Sequence, residues 1–414
     1  MKRLLQHAWQ YRHHLPTPLR TTDGRDVEIL DAGQPATTER PDFCAARLRL
    51  DGALLTGDVV CLWRADDAAS RAEATQAMLL VTRHADNSLP VPQIEVPIPE
   101  HLEHRYRDLL AAPQPIACQS ILSSVPTVSL HAWLNTLAAE RLQAKTKRIE
   151  AWLRRTGGDW ERTCFLTLAR GFGFGGNSAA FERWAEGIDL SLTGKHRDNA
   201  FQIEAYFLGQ AGLLAPELVA PERRDDHYTA LCREYDFLRH KFGLTPMAAS
   251  AWHCARLRPQ NAPHLRLAQL AELYVSRRLD FSRLRTATDA DALRQLLHAS
   301  ALPYWRTHYA FGLPSAESDK TLRSHSLDAL LINVVAPLLM AYGRSHNKPA
   351  LTERAITLLE TVKPENNAIV RAWAAAGVKA ESAADTQGLL TLHHDYCTPR
   401  ACLRCRFGAY FLRQ

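Results

Sequence analysis

Up to about residue 128 the apolar residues of this 414-residue chain come in short runs bounded by turn residues, and from Ser129 onward they recur at helical spacing. A strand alternates its side chains with a period of two and a helix with a period of 3.6, so one segment cannot serve both patterns. The break therefore constrains the fold more than any single motif. Before it, after a short helix over 4–11, strands are expected over 27–30, 43–50, 54–63, 78–83 and 94–98. The polar, Ala-rich 66–76 stretch reads as a loop or short helix, and six prolines from Pro90 to Pro115 punctuate the end of this part. Beyond it, helices are expected from Ser129 through 141–155, then over 160–170, 179–185, 200–208, 226–241, 265–278, 289–298, 326–341 and 351–359. The expected class is α+β. A small mixed β-sheet domain spans 1–128, a large all-α helical domain 129–385, and a Cys-containing tail 386–414.

Composition narrows the class. Hydrophobic residues at 46% and charged residues at 23% fit an ordinary folded chain. A net charge of +6 permits polyanion binding without demanding it. Lys2 and Arg3 open the chain, but Gln6, His7, Gln10, Arg12, His13 and His14 prevent the apolar core of a signal peptide. The longest apolar run, 327–342, contains Asp328, Asn333 and Pro337, so no membrane partner is expected. Nine cysteines, an odd number, point to reduced thiols and a metal site, and with them to a cytoplasmic location.

An ordered series of motifs runs along the chain. Thr21-Thr22-Asp23-Gly24, Pro41-Asp42-Phe43, Glu140-Arg141-Leu142 with Lys145, Asp159-Trp160, and Phe172-Gly173-Phe174 with Asn177 come first. Glu204-Ala205, Gly209-Gln210-Ala211-Gly212, Glu234-Tyr235, Arg256-Leu257-Arg258-Pro259, Arg266-Leu267-Ala268-Gln269, Trp305, His308-Tyr309, Asn333 with Pro337, and Tyr396-Cys397 with Cys402 and Cys405 follow. In this series the chain resembles, almost end to end, an uncharacterised bacterial family, the domain of unknown function 2851. The resemblance implies no activity. It also has departures. Arg40 stands where the family usually has Gly, Val60 and Leu62 stand where the return strand usually carries Glu and His, and a Trp- and His-rich stretch is reduced to 65–77.

Asp42 opens a hairpin closed by the Asp51-Gly52 turn. A Pro-Asp followed about twenty residues later by Glu-x-Lys is similar to the restriction-endonuclease-like nucleases. There, two carboxylates hold a divalent cation and a base activates water. A regular hairpin pairs Phe43 with Val60 and Asp42 with Cys61, while a bulge at Gly57 would bring Val60 and Leu62 onto the face of Asp42. Neither register sets a second carboxylate beside Asp42 on the hairpin; Glu28, Asp31 and Asp58 could in principle substitute. Three readings stand open: a structural Asp42, a degenerate nuclease-like domain that still holds nucleic acid, and an active nuclease in which Asp42 binds Mg²⁺.

The tail sequence His394-x2-Cys397-x4-Cys402-x2-Cys405 offers three thiols and an imidazole for a tetrahedral Zn²⁺. His393 is an alternative ligand, and a distant cysteine such as Cys44 could complete an iron–sulfur cluster instead. Arg400, Arg404 and Arg406 are expected to depress the thiol pKa values. In the helical part, Arg256, Arg258 and Arg266 are expected at a junction where a helix ends at Pro259 and the next begins at Leu265. There they would either clamp a phosphate or carboxylate or pair with Glu204, Glu234 or Asp236. Gly209–Gly212 and 172–177 lack phosphate-loop spacing, and 172–177 reads as a turn between helices. The leading expectation is a nucleic-acid-associated protein, with DNA or RNA as partner, built on a degenerate nuclease-like domain. A scaffold binding a protein partner is the alternative, and an enzyme acting on a small anionic substrate the third.

Overall fold

The computed structural model describes residues 1–36, 41–65, 77–86 and 88–413, without the side chain of Lys195. Arg40 and the 66–76 stretch lie outside the described residues. Contacts divide the chain into two compact units, Met1–Pro126 with His393–Gln414, and Thr127–Leu392. The class is α+β, as the change of period implies.

The first unit is a mixed sheet of β1 (Val27–Asp31), β2 (Gln34–Pro35), β3 (Phe43–Leu50), β4 (Ala53–Arg64), β5 (Leu79–His84) and β6 (Gln93–Glu95) in the order β1-β3-β4-β5-β6, with β2 also on β3. The β1–β3 and β3–β4 pairs are antiparallel, and β4–β5 and β5–β6 are parallel. A strand covered on both faces carries a continuous apolar run rather than an alternating one, and Val59, Val60, Cys61 and Leu62 of β4 are all buried. The first helix, α1 (Lys2–Tyr11), lays Leu4, Leu5, Ala8 and Trp9 against β4 and β5. Trp9 Nε1 donates to the carbonyl of Ala32 at 2.9 Å. β6 is shorter than the expected 94–98 strand because Pro97 has no N–H to give a ladder, although Val96 and Ile98 remain buried. A second helix, α2 (Glu100–Ala111), follows, and the tail ends in a helix over Arg406–Arg413.

The hairpin register differs from both expected forms. Leu50 pairs with Ala53 and Ala46 with Gly57, but Phe43 pairs with Val59. The extra residue therefore sits in β3, at Cys44–Ala45, where Ala45 takes a φ of 53°. Gly57 has a different task. A Cβ there would lie 2.8 Å from Cβ of Met78, so the glycine admits the segment that leads into β5.

The second unit is built on α3 (Thr127–Arg155), α4 (Trp160–Phe172), α5 (Ser178–Glu186), α6 (Ala200–Gln210), α7 (Asp226–Phe242), α8 (Pro263–Val275), α9 (Ser324–Leu330), α10 (Ala336–Ser345), α11 (Pro349–Thr361) and α12 (Ala383–Thr391), with further helical pieces of eight residues or fewer between them. The one exception to this texture among the described residues is a short hairpin, His308–Ala310 with Leu313–Pro314. A single continuous core joins these helices, with Trp184, Trp305 and Phe207 among its fully buried side chains. A π-turn over Leu331–Val335 connects α9 to α10 and accommodates Pro337, which cannot supply a helical N–H. The Ser324–Ser345 segment is apolar and long enough to cross a membrane by length and composition, but 78% of its most apolar stretch is buried inside this unit. One expected boundary fails: no helix ends at Pro259. Residues 253–258 are irregular, Arg256 sits at a φ of 57°, and a 3-10 turn over Pro259–Asn261 leads to α8, whose first residue is Pro263.

Candidate functional site

The helical unit contains a cleft of about 690 Å³ whose lining brings together residues far apart in sequence. On α3, Arg141, Lys145, Arg148 and Trp152 follow one another at spacings of three or four and so share a face. Opposite them, α4 contributes Thr167, Arg170 and Gly171, and the turn after it contributes Phe174 and Gly175. Asn333 lies in the π-turn, Pro337 in α10, and Glu365 after α11. Gly171 lets α4 approach the π-turn, because a Cβ there would lie 2.5 Å from Cγ2 of Val334. The turn beyond α4 needs unusual backbone, with Phe174 at a φ of 40° and Gly175 at 90°. Asn177 secures it by exchanging hydrogen bonds with the backbone of His253, at 2.9 and 2.8 Å.

Lys145 is the centre of the polar lining. Its Nζ donates to Oδ1 of Asn333 at 2.7 Å and to Oε1 of Gln387, on α12, at 2.6 Å. The same Gln387 oxygen accepts from Nε of Arg141 at 2.9 Å, while its amide nitrogen donates to Glu365. Burial and then the charge of Arg141 hold the Lys145 ammonium down to about 7, with Glu365 opposing them. Arg170 is paired with Glu182. Among the described residues, Arg141, Lys145 and Arg148 make no ion pair, and Arg148 is exposed. The arrangement therefore places four basic groups around one space, three of them outside any ion pair among the described residues, with a single carboxylate, Glu365, in the lining. Such a space favours an anion, and Arg with Lys favours phosphate or carboxylate oxygens.

Asp42 is placed otherwise. It is buried, and its Oδ2 accepts the backbone N–H of Cys61 at 2.7 Å. Its Oδ1 accepts from Nε2 of Gln6 at 2.6 Å and pairs with Nζ of Lys2 at 3.0 Å. The carboxylate ties α1 to β4. Val60 and Leu62, at the positions where the resemblance sets an acid and a base, pack with Leu80 in a small apolar cluster. Of the substitutes, Glu28 pairs with Arg49, and Asp31 accepts the N–H of Gly33.

The three helical-domain arginines do not share an environment. Arg256 and Arg258 are exposed, whereas Arg266 is buried. Arg266 donates to Gln269 at 2.9 Å and to Asn261 at 2.7 Å, and its guanidinium lies 4.3 Å from the Phe174 ring centre. Burial lowers its pKa to about 10. The carboxylates expected to pair with these arginines are engaged elsewhere: Glu204 accepts from Trp305 and His227, Glu234 from Gln202, and Asp236 pairs with Arg239. Gly209 and Gly212 serve packing, since a Cβ on Gly209 would enter the Tyr235 ring.

In the tail, His394 is exposed, with its ring against His393. Cys118, rather than His394, is the group within electrostatic range of Cys397, Cys402 and Cys405. Burial raises the Cys118 thiol to about 12 and also raises Cys397 and Cys402, and it outweighs the opposing Arg400 charge. The expected depression by arginine is thus reversed, because desolvation of a thiolate exceeds one neighbouring cation. Cys44 lies in β3 and is half-buried. No group of three or more His, Cys, Asp or Glu side chains among the described residues is arranged to hold a single metal ion.

Arg148, Arg170 and Glu365 of the cleft lining, and Gln387 bonded to Lys145, carry no sequence signal of their own. Arg141, Lys145, Phe174, Asn333 and Pro337 do, as members of the ordered motifs, and three separate motifs meet in this one cleft.

The sequence model of a family described as "Protein of unknown function (DUF2851)" matches residues 2–368. No curated protein and no solved structure matches the chain.

Proposed function

Since the chain belongs to the DUF2851 family, whose description assigns no activity, we propose from the cleft itself that the helical unit binds a phosphate-bearing anion between α3 and α4. The observation that carries this reading is the set Arg141, Lys145 and Arg148 on one face of α3, without an ion-pair partner among the described residues, around a cleft of about 690 Å³. Glu365 is the single carboxylate near these cations and forms no ion pair with them among the described residues, so an incoming anion gains their attraction without first breaking a salt bridge. The volume suits a nucleotide-sized group. A single-stranded nucleic acid offers the same chemistry, with Arg148 exposed at the site. The nuclease-like ancestry suggested by Pro41-Asp42 bears on the other unit and adds nothing to this site.

Fluorescence anisotropy of the full chain tests the proposal with three probes: a labelled single-stranded oligonucleotide, a labelled ATP analogue, and inorganic phosphate as competitor. The expected result is binding that weakens with salt, because phosphate neutralisation releases counterions, and that weakens at least about tenfold in the Arg141→Met, Arg148→Met double variant. A preference for ATP over the oligonucleotide would identify a small-molecule site, and the reverse a strand-binding groove. Absence of binding by every probe at low salt, or binding unaffected by the double variant, would overturn it.

A second reading rests on Lys145 alone. An amine held near 7 among fixed cations can accept a proton or attack an electrophile at neutral pH. Covalent trapping of a carbonyl substrate analogue at Lys145 under borohydride would support an enzyme, and its absence would leave Lys145 as a ligand-binding group.

A further inference from the structure

Four of the nine cysteines converge in the first unit from two distant parts of the chain. Cys118 precedes a 3-10 turn, Gln119–Ser124, while Cys397, Cys402 and Cys405 belong to the tail. Every pairing of the four is close enough for electrostatic coupling: Cys118 with Cys402 and Cys405, Cys397 with the other three, and Cys402 with Cys405. Cys118, Cys402 and Cys405 are buried and Cys397 is half-buried.

The backbone around them is built to hold this meeting. Ala401 N–H donates to the carbonyl of Tyr396 at 2.8 Å, and Cys405 N–H to that of Cys402 at 3.2 Å, folding the tail thiols inward. Gly408 permits the close return, since a Cβ there would lie 2.1 Å from the carbonyl oxygen of Cys402. Arg400, at a φ of 53°, reaches the segment that leads to Cys118, where its Nη2 donates to the carbonyls of Ala112 at 2.5 Å and Gln114 at 2.9 Å. Its Nη1 is buried and has no acceptor, although the guanidinium lies within range of Cys118, Cys397 and Cys402. A buried N–H donor left unsatisfied costs stability unless something fills the place. Here the groups around it are thiols, which become strong negative acceptors only as thiolates.

We propose that Cys118, Cys397, Cys402 and Cys405 ligate an iron–sulfur cluster, with Arg400 donating a hydrogen bond to its sulfur. A single zinc ion needs its thiolates about 3.8 Å apart, given Zn–S bonds near 2.3 Å. The four thiols are mutually near without forming such a group, so a wider prosthetic group fits them better. The run Cys397-x4-Cys402-x2-Cys405 repeats a ligand spacing used by [2Fe–2S] proteins, with the fourth ligand here upstream instead of downstream. The cluster would also pin the tail to the segment carrying Cys118.

The test is the full chain produced with added iron, purified without oxygen, and reconstituted with ferrous iron and sulfide. Iron and acid-labile sulfide together, with visible absorbance near the sulfide-to-iron charge-transfer region, are expected in the unaltered protein. Cys118→Ser should lose most of both, while His394→Ala and Cys232→Ser should retain them. Zinc without labile sulfide, no metal after reconstitution, or an undiminished load in Cys118→Ser would each overturn the proposal. The first two outcomes are read on the unaltered protein, so a misfolded variant does not shelter it. Phosphate binding in the helical cleft plays no part in this readout, and either proposal can fail alone.

Discussion

Asp42 accepts the backbone N–H of Cys61 through Oδ2 at 2.7 Å, so the acid that opens the hairpin is bonded to its return strand. The other oxygen holds Gln6 and Lys2 of α1. A carboxylate engaged on both sides in this way stabilises a junction, and the junction is where helix, hairpin and sheet meet.

Replacing Asp42 by Ala leaves the Cys61 N–H and the Gln6 amide without their acceptor. The expected loss is about 2–4 kcal/mol of stability, combining a charge-assisted hydrogen bond with a buried orphan donor. Asp42→Asn should lose less, because its carbonyl oxygen can still accept from Cys61. Denaturant melts of the two variants measure the difference, and equal losses would contradict the proposed bond.

Lys145 should make stability depend on pH in a defined direction. Its folded pKa, about 7, lies below the usual lysine value of 10.5, so between those values the unfolded chain binds more protons. The destabilising contribution is fully present below 7 and is lost as pH rises towards 10.5. Lys145→Met should therefore flatten the rise in Tm between about pH 7 and 10, relative to the unaltered protein. An unchanged slope would mean that the ammonium is not held down.

Anion binding should couple to the same proton. A phosphate in the cleft favours the charged amine, so the apparent affinity should fall as pH rises from about 6 to 8.5, with proton uptake on binding near pH 7. Calorimetry in two buffers of different ionisation enthalpy measures the uptake. Lys145→Met should abolish it.

The arginines of the 256–266 region should separate by burial. Arg256→Ala and Arg258→Ala, both exposed, are expected to change stability by no more than about 0.5 kcal/mol. Arg266→Ala removes two hydrogen bonds and the contact with Phe174 from a buried site, and should cost about 2–4 kcal/mol.

Gly209→Ala should cost about 2–4 kcal/mol by forcing α6 away from the Tyr235 ring. Gly194→Ala is the control for the substitution itself, since Gly194 is also helical and has nothing near its Cβ position. The difference in Tm between the two isolates the packing contribution.

The change of period near Ser129 determined the α+β class, and the expected strands over 27–30, 43–50, 54–63 and 78–83 fall on β1, β3, β4 and β5. Periodicity is local, because it follows from burying one face of one element, and that is why it can be read without coordinates. The bulge at Cys44–Ala45 was not legible, since a one-residue slip is fixed by what packs on both faces of the sheet, including the approach of Met78 to Gly57. The helix over Glu100–Ala111 was missed between its flanking prolines, and α12 because its sequence is nearly all buried and shows no polar stripe. The site divides the same way. Sequence order marked Arg141, Lys145, Asn333 and the tail cysteines as motif residues. It could not bring Arg141 beside Gln387 or Cys118 beside Cys405, because those meetings span 246 and more residues and exist only once helices and tail have packed. Charge and thiol chemistry are properties of single residues; their convergence, and the desolvation that moves Lys145 down and Cys118 up, belong to the tertiary structure.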